Sequence, residues 1–299
     1  MCWQSEVRNQ MSLIVARIIE DEIRIVSDTK VTNYSAVHNT PLNGSLKCVV
    51  VSPSCCVCFA GLAGLAQVAM APILKSNDLD RASITRHLMR EHLAEGCKTD
   101  FIVAFADPQP TLVRIIDGMI EEDLPSAWIG DQPAFATYQE HYHTFEQRSK
   151  TIFTADEFRW LEIATRMSDA FRAVVEDHKH PSVSDFAITV SSKTAEADGF
   201  RYLPSSIGFG FHSVSNTTEE TSALRPLGVA GGSYNYSVLT PNRSGIGALG
   251  VHFLEGRLGA LFYPRIQWEP ILFRNTGIDE FINAVSEQFD VSIDGIRHY

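Results

Sequence analysis

The chain has 299 residues, enough for one large core or two smaller ones. With 44% hydrophobic and 20% charged residues it has the composition of a globular protein. A net charge of −11 and the lack of any Lys/Arg-rich run argue against nucleic acid or an anionic membrane as partner.

The first ten residues, MCWQSEVRNQ, are too polar for the apolar core of a secretory signal. An internal Met11-Ser12 pair follows. Leu13 to Ile19 is almost continuously apolar, and Ile23 to Val26 repeats the pattern after the acidic Glu20-Asp21-Glu22. Two runs of strand length around a tight polar turn predict a hairpin buried on both faces. LKCVVVSP and CCVCFAG predict a second hairpin with Pro53 in its turn. The small residues of LAGLAQVAMAPIL then predict a helix packed closely on that sheet.

Cys55 to Leu74 is uncharged and about as long as a spanning helix needs to be. Gly61, Gly64, Gln67 and Pro72 interrupt it, so it reads as a buried strand followed by a helix. In CCVC, Cys56 and Cys58 share one strand face and Cys55 takes the other, which does not converge on a metal. The six cysteines read as small buried hydrophobes in a reducing compartment.

DRASITRHLMREHLAEG has a near-helical apolar period and ends at Gly96. FIVAFAD and TLVRIID resume the strands. SAWIGDQPAFATYQEHY reads as strand, turn and helix. TADEFRWLEIATRMSDAFRAVVEDH reads as the clearest helix, with a capping box at Thr154 and Glu157. DFAITV is again a strand. Paired strands and paired helices, rather than alternating βαβ units, predict an α+β layered sandwich. From about Ile207 the chain is strand-rich and loop-rich, closing with the helix GIDEFINAVSEQF.

Three polar residues flank the apolar runs. Ser12 opens the first strand, Asp28 closes the second and Lys47 opens the third. A buried Lys or Asp is rare unless paired, so Asp28 and Lys47 are expected to pair beside Ser12. If the chain began at Ser12, Oγ would be a nucleophile and the α-amine its base. An α-amine titrates at about 7.7–8.0, close to the pH that general-base chemistry prefers. Lys47 would stabilise developing negative charge, and Asp28 would hold Lys47 in place. Gly61 ends its strand where a backbone N–H could meet an oxyanion.

At these residues the chain resembles the proteasome β-subunit family, including its bacterial relatives. SLIVARIIEDEIRIVSDTK fits that family's first hairpin and Asp-Thr-Arg-like motif without a gap, with Asp28 sixteen residues after Ser12. LKCVVVSPSCCVCFAGLAG is similar to its Lys-strand-turn-strand-Ala-Gly segment, and AWIGDQPAF to its Gly-Ser-Gly turn. EDHKHPSVSDFAITV resembles its Asp-x-x-Ser-Gly-Gly segment. The resemblance covers about Ser12 to Leu203. It implies a four-layer αββα sandwich of the N-terminal-nucleophile hydrolase type; residues 204–299 read as a strand-rich C-terminal extension that has no counterpart in a minimal subunit of that family.

The resemblance also implies removal of residues 1–11 as a propeptide and hydrolysis of peptide bonds in peptides or unfolded proteins. It implies a cytoplasmic homo-oligomeric ring, an ATPase unfoldase as possible partner, and no cofactor or metal. Ser12, Asp28, Lys47, Gly61, Asp131, Asp177 and Ser182 take the catalytic positions, and Phe59 and Ala60 the substrate-binding ones. Phe59 narrows the specificity pocket, which predicts a preference for small apolar side chains. The chain departs from the family in having Ser rather than Thr at position 12 and Asp131 where a hydroxyl is usual. Two extra residues separate Asp177 from Ser182, and the glycines that follow are missing.

Other readings stay open. Ser12 could be an ordinary strand serine, with Asp28 and Lys47 a structural pair. The fold could serve as a catalytically silent scaffold, or the site could act as an amidase or transpeptidase. Cys2 is a rival nucleophile without an apolar strand behind it. His141 with His143 and His178 with His180 are incomplete as metal sites. Gly228 to Ser237 lacks the Lys-Ser/Thr ending of a phosphate loop. Asn216 and Asn242 match the glycosylation pattern. An exposed Ser12 could arise by self-cleavage after Met11. It could also arise by translation from Met11 followed by aminopeptidase trimming.

Overall fold

The first apolar pair folds as predicted. In the computed structural model, β1 (Leu13–Ile19) and β2 (Glu22–Asp28) form an antiparallel hairpin closed at Glu20, whose φ is 57°. The structure describes residues 12–29, 45–76, 80–149, 159–177, 179–180, 182–183, 187–194, 197–204, 206–207, 236–241, 245–254 and 256–295. Among them the chain is α+β, with five helices and three antiparallel sheets.

The second hairpin is β3 (Cys48–Ser52) and β4 (Cys55–Gly61), and α1 (Ala63–Lys75) follows directly. The uncharged run from Cys55 is therefore a strand and a helix. No helix among the described residues is long and apolar enough to cross a membrane. The next helix, α2 (Arg81–Ala94), starts where the Asp80 carboxylate accepts from the Ser83 N–H at 2.8 Å. Then come β5 (Thr99–Phe105), β6 (Thr111–Ile116), the short β7 (Met119–Glu121) and β8 (Ser126–Gly130).

Helices α3 (Gln132–Ser149) and α4 (Arg159–Glu176) precede the hairpin of β9 (Ala187–Thr194) and β10 (Ala197–Tyr202). The proposed capping box at Thr154 and Glu157 lies outside the described residues, as do His178, Asn216, Asn242 and most of Gly228 to Ser237.

One sheet has the order β10-β9-β2-β1-β8, and a second has the order β3-β4-β5-β6-β7. Each has a helix pair on one face. Ala66, Ala69, Met70 and Ile73 of α1, with Ile84 and Leu88 of α2, pack on Val49, Val57, Phe59, Phe101 and Val103. Tyr138 and Tyr142 of α3, with Met167, Phe171 and Val174 of α4, pack on Leu13, Val15 and Val26. The two sheets also touch. The Tyr202 hydroxyl donates to the Cys48 carbonyl at 3.0 Å, and Val50 N–H donates to the Tyr202 oxygen at 3.2 Å. Burial pushes the Tyr202 phenol well above its ordinary range, so it stays a neutral donor.

Cys55 faces the helices and Cys56 and Cys58 face the other way, as their alternation predicted. Cys48 lies opposite Cys58, with sulfurs 2.9 Å apart. Cys48, Cys55, Cys56 and Cys58 are free and buried. Cys97 departs from the reading of all cysteines as thiols, because it is disulfide-bonded. No group of three or more metal-ligating side chains occurs among the described residues.

The chain divides into two compact units, residues 1–203 with 262–270, and residues 204–261 with 271–299. The later elements are β11 (Ser206–Ile207), β12 (Tyr236–Pro241), β13 (Leu249–Phe253), β14 (Leu258–Tyr263), β15 (Gln267–Arg274), α5 (Ile278–Phe289) and β16 (Ile293–Gly295). Strands β11 to β15 form the third sheet in chain order, with β16 on β12. Within the second unit, Phe281 of α5 packs against Phe273, with ring centroids 5.2 Å apart. The Glu280 carboxylate accepts from the Gly277 N–H at 2.7 Å and closes the helix start.

Candidate active site

Strand pairing brings Ser12, Asp28 and Lys47 together. The ladder sets Ile14 opposite Ser27, so one pair further on Asp28 stands across from Leu13. Its Oδ1 accepts the Leu13 N–H at 3.0 Å. Ser45 N–H donates to the Thr29 carbonyl at 2.8 Å, which returns the chain to the end of β2 just before Lys47. Lys47 Nζ then donates to Asp28 Oδ2 at 2.8 Å and to Ser12 Oγ at 2.6 Å. Ser12 is 2% exposed, Asp28 0% and Lys47 3%. A buried ammonium with a carboxylate on one side and a hydroxyl on the other is a satisfied charge. It is also aimed at the oxygen on which negative charge would develop if Ser12 reacted.

The other flank of Ser12 is β8, which the sequence alone does not pair with β1. Leu13 lies opposite Gly130, and Asp131 N–H donates to the Ser12 carbonyl at 2.7 Å. The Asp131 carboxylate does two further things. Oδ1 accepts from Ala134 N–H at 3.0 Å, capping α3, and Oδ2 accepts a short hydrogen bond from the Ser182 hydroxyl. Asp131 thus ties the Ser12 backbone to α3 and to the segment after α4. The sequence reading took Gly130-Asp131-Gln132 as a changed turn. The N-cap signal, Asp three residues before Ala134, was already present in DQPA. Asp131→Ala is expected to cost about 1 kcal/mol through the lost cap, read as a lower midpoint in urea unfolding.

Asp177 is placed differently from its sequence-based role. It ends α4 by donating its N–H to Ala173 O, and its carboxylate accepts from Lys179 N–H at 3.1 Å. That bond holds it below the ordinary carboxylate range. Among the described residues its side chain meets Lys179, and no bond joins it to Ser12, Lys47 or Ser182. Among the described residues after it, His180 N–H donates to Asp177 O and Val183 N–H to His180 O, each closing a tight turn. Those turns carry Ser182, but not Asp177, to Asp131. His180 shares a 2.8 Å bond with Thr137 Oγ1, which uses it structurally.

Gly61 lies at the end of β4 with φ +117°, and Leu62 after it is the N-cap of α1. A Cβ on Gly61 would sit 2.2 Å from Lys98 O, so only glycine fits this bend. The bend points the chain into a helix start, whose first N–H groups lack helical partners and favour negative charge. Ala60 is fully buried opposite Asp100, and Phe59 is 1% exposed within the helix-covered face. Phe59 N–H donates to Lys47 O at 3.0 Å, which makes it the direct cross-strand neighbour of Lys47.

The site therefore combines a hydroxyl, a buried ammonium on it, a carboxylate on the ammonium, and a glycine bend at a helix start. The Ser12 nitrogen is an amide as long as Met11 precedes it. No family model matches the chain, and no curated protein matches it.

Proposed function

We propose that the chain is a peptide-bond hydrolase of the N-terminal-nucleophile type, active once Ser12 is the first residue. The observation that carries this reading is Lys47 Nζ bridging Ser12 Oγ and Asp28 in a buried cluster. Sheet faces covered by α1 with α2 and by α3 with α4 support the αββα sandwich as its architecture.

In this mechanism Ser12 Oγ attacks the substrate carbonyl and its proton passes to the freed Ser12 α-amine. The oxyanion is held by N–H donors at Gly61 and the start of α1. The C–N bond breaks as the α-ammonium returns the proton to the leaving amine. Water then attacks the Ser12 ester, with the amine again as base, and releases the carboxylic acid. Lys47 Nζ stays beside Oγ throughout, held there by the Asp28 carboxylate. The ring assembly, the ATPase partner and the cytoplasmic location belong to the same proposal. The four free buried thiols support that location, and the disulfide at Cys97 weighs against it.

The test is the mass of the amino terminus together with covalent labelling by a peptide epoxyketone, which needs both an amine and a hydroxyl on one residue. A chain starting at Ser12 that labels there, while Ser12→Ala does not, is the expected result. A chain trimmed to Ser12 that neither labels nor hydrolyses peptides overturns the reading.

A further inference from the structure

The first unit includes residues 262–270, far along the chain from Ser12. This segment is the tip between β14 and β15. Arg265 anchors it through two carbonyls. Its Nη1 donates to Leu74 O at 2.8 Å, near the C-terminal end of α1, and its Nη2 donates to Val51 O on β3. A cation at a helix C-terminus meets carbonyls that lack helical partners. Strand β3 is the edge of its sheet, so a guanidinium along it covers exposed backbone.

The anchored tip sets Trp268 against the cluster that contains Phe59, on which Ala63 also packs. The indole meets the Phe59 ring edge-on, with centroids 6.3 Å apart at 81°. Phe59 stands directly across the ladder from Lys47, whose Nζ is 2.6 Å from Ser12 Oγ. On the peptidase reading, a substrate side chain beside the bond attacked by Ser12 comes next to Lys47 and its cross-strand neighbour Phe59, with the small residues Gly61 and Ala63 following Phe59 in the chain. Phe59 is fully buried and fixed. Trp268, like Gly61 and Ala63, is half-buried and reaches the surface.

We propose that Trp268 is a specificity-determining wall of the substrate side-chain pocket, contributed by the C-terminal part of the chain and held by Arg265. This rests on the peptidase reading above and names its substrate class: peptides with a small apolar residue on the acyl side of the cleaved bond. The large indole shortens the space that Phe59 already narrows, so Leu or Phe at that position meets the ring.

The experiment compares wild type, Trp268→Ala, Trp268→Phe and Arg265→Ala, each verified to start at Ser12. Each is given peptide substrates that differ only at that position, and thermal melting checks folding. Wild type is expected to prefer Ala or Val over Leu or Phe. Trp268→Ala should shift that ratio toward the larger residues by about tenfold or more, the scale on which one or two methylenes are sorted by an apolar pocket. Trp268→Phe should shift it less, and Arg265→Ala in the same direction through a loosened tip. An unchanged ratio in a folded, active Trp268→Ala overturns the wall and leaves the peptidase reading standing. Rates that fall equally for all peptides also overturn it, since that marks a structural role. No hydrolysis by any of the four proteins overturns both.

Discussion

Lys47→Met is expected to abolish the proposed hydrolysis and to destabilise the fold by about 3–5 kcal/mol, because it takes the ammonium away from a buried carboxylate. Asp28 is 0% exposed, and Lys47 Nζ is the cation on its Oδ2. Removing the ammonium takes the cation from Oδ2 and leaves the Leu13 N–H on Oδ1. The loss of the proposed activity should be on the order of 10²–10⁴-fold or more, since the same ammonium lies 2.6 Å from Ser12 Oγ.

Two companion variants separate structure from chemistry. Lys47→Met combined with Asp28→Asn removes both charges and should recover much of the stability but none of the activity. Ser12→Ala should remove the proposed activity and cost about 1.5–3 kcal/mol through the hydrogen bond lost from the Lys47 ammonium. Urea unfolding and peptide hydrolysis read the two effects. A double variant as unstable as Lys47→Met alone sinks the ion-pair account, and an active Lys47→Met sinks the catalytic one.

These residues were legible because each interrupts or flanks an apolar run. A Ser, an Asp and a Lys at the ends of three buried strands have few ways to be satisfied except by one another. The hairpins were legible for a related reason. Turn residues such as Glu20-Asp21 and Pro53-Ser54 sit between runs of strand length, and that information is local. The choice of partner strand is not. Nothing near Ala127 or Ile129 says that β8 leaves β7 to lie along β1, yet that pairing puts Asp131 on the Ser12 carbonyl.

Asp177 fits its motif only with two extra residues before Ser182, and in the structure backbone turns at His180 and Val183 follow it. Once those turns close, the carboxylate is satisfied by Lys179 instead of the site. Trp268 had no local signal at all. It lies in QWEP, a strand whose alternate residues are exposed, and its meaning comes from Arg265 reaching two carbonyls nearly two hundred and more positions earlier. Elements and charged pairs inside the first hairpins come from local pattern. Contacts between distant strands come from the packed fold.

Gly130→Ala is the sharpest test of that packed arrangement, and it is expected to remove both stability and activity. Gly130 has φ +109°, a conformation that L side chains rarely adopt. An added Cβ would lie 2.0 Å from Ser12 O and 2.8 Å from Ser12 C. Both are backbone atoms of Ser12, the proposed nucleophile, so no flexible side chain can yield. Relief requires parting β1 from β8 at Leu13–Gly130 and breaking the 2.7 Å bond from Asp131 N–H to Ser12 O. Either movement displaces Ser12 from Lys47 Nζ. Backbone strain and the clash together should cost about 3 kcal/mol or more, and activity should fall with the geometry.

Gly64→Ala is the control. A Cβ there meets nothing within 4 Å, and the residue lies in α1, so alanine should stabilise by up to about 1 kcal/mol. If Gly130→Ala melts with wild type and cleaves peptides at the wild-type rate, β8 does not set the position of Ser12. The candidate site would then have to be held by Asp28 and Lys47 alone.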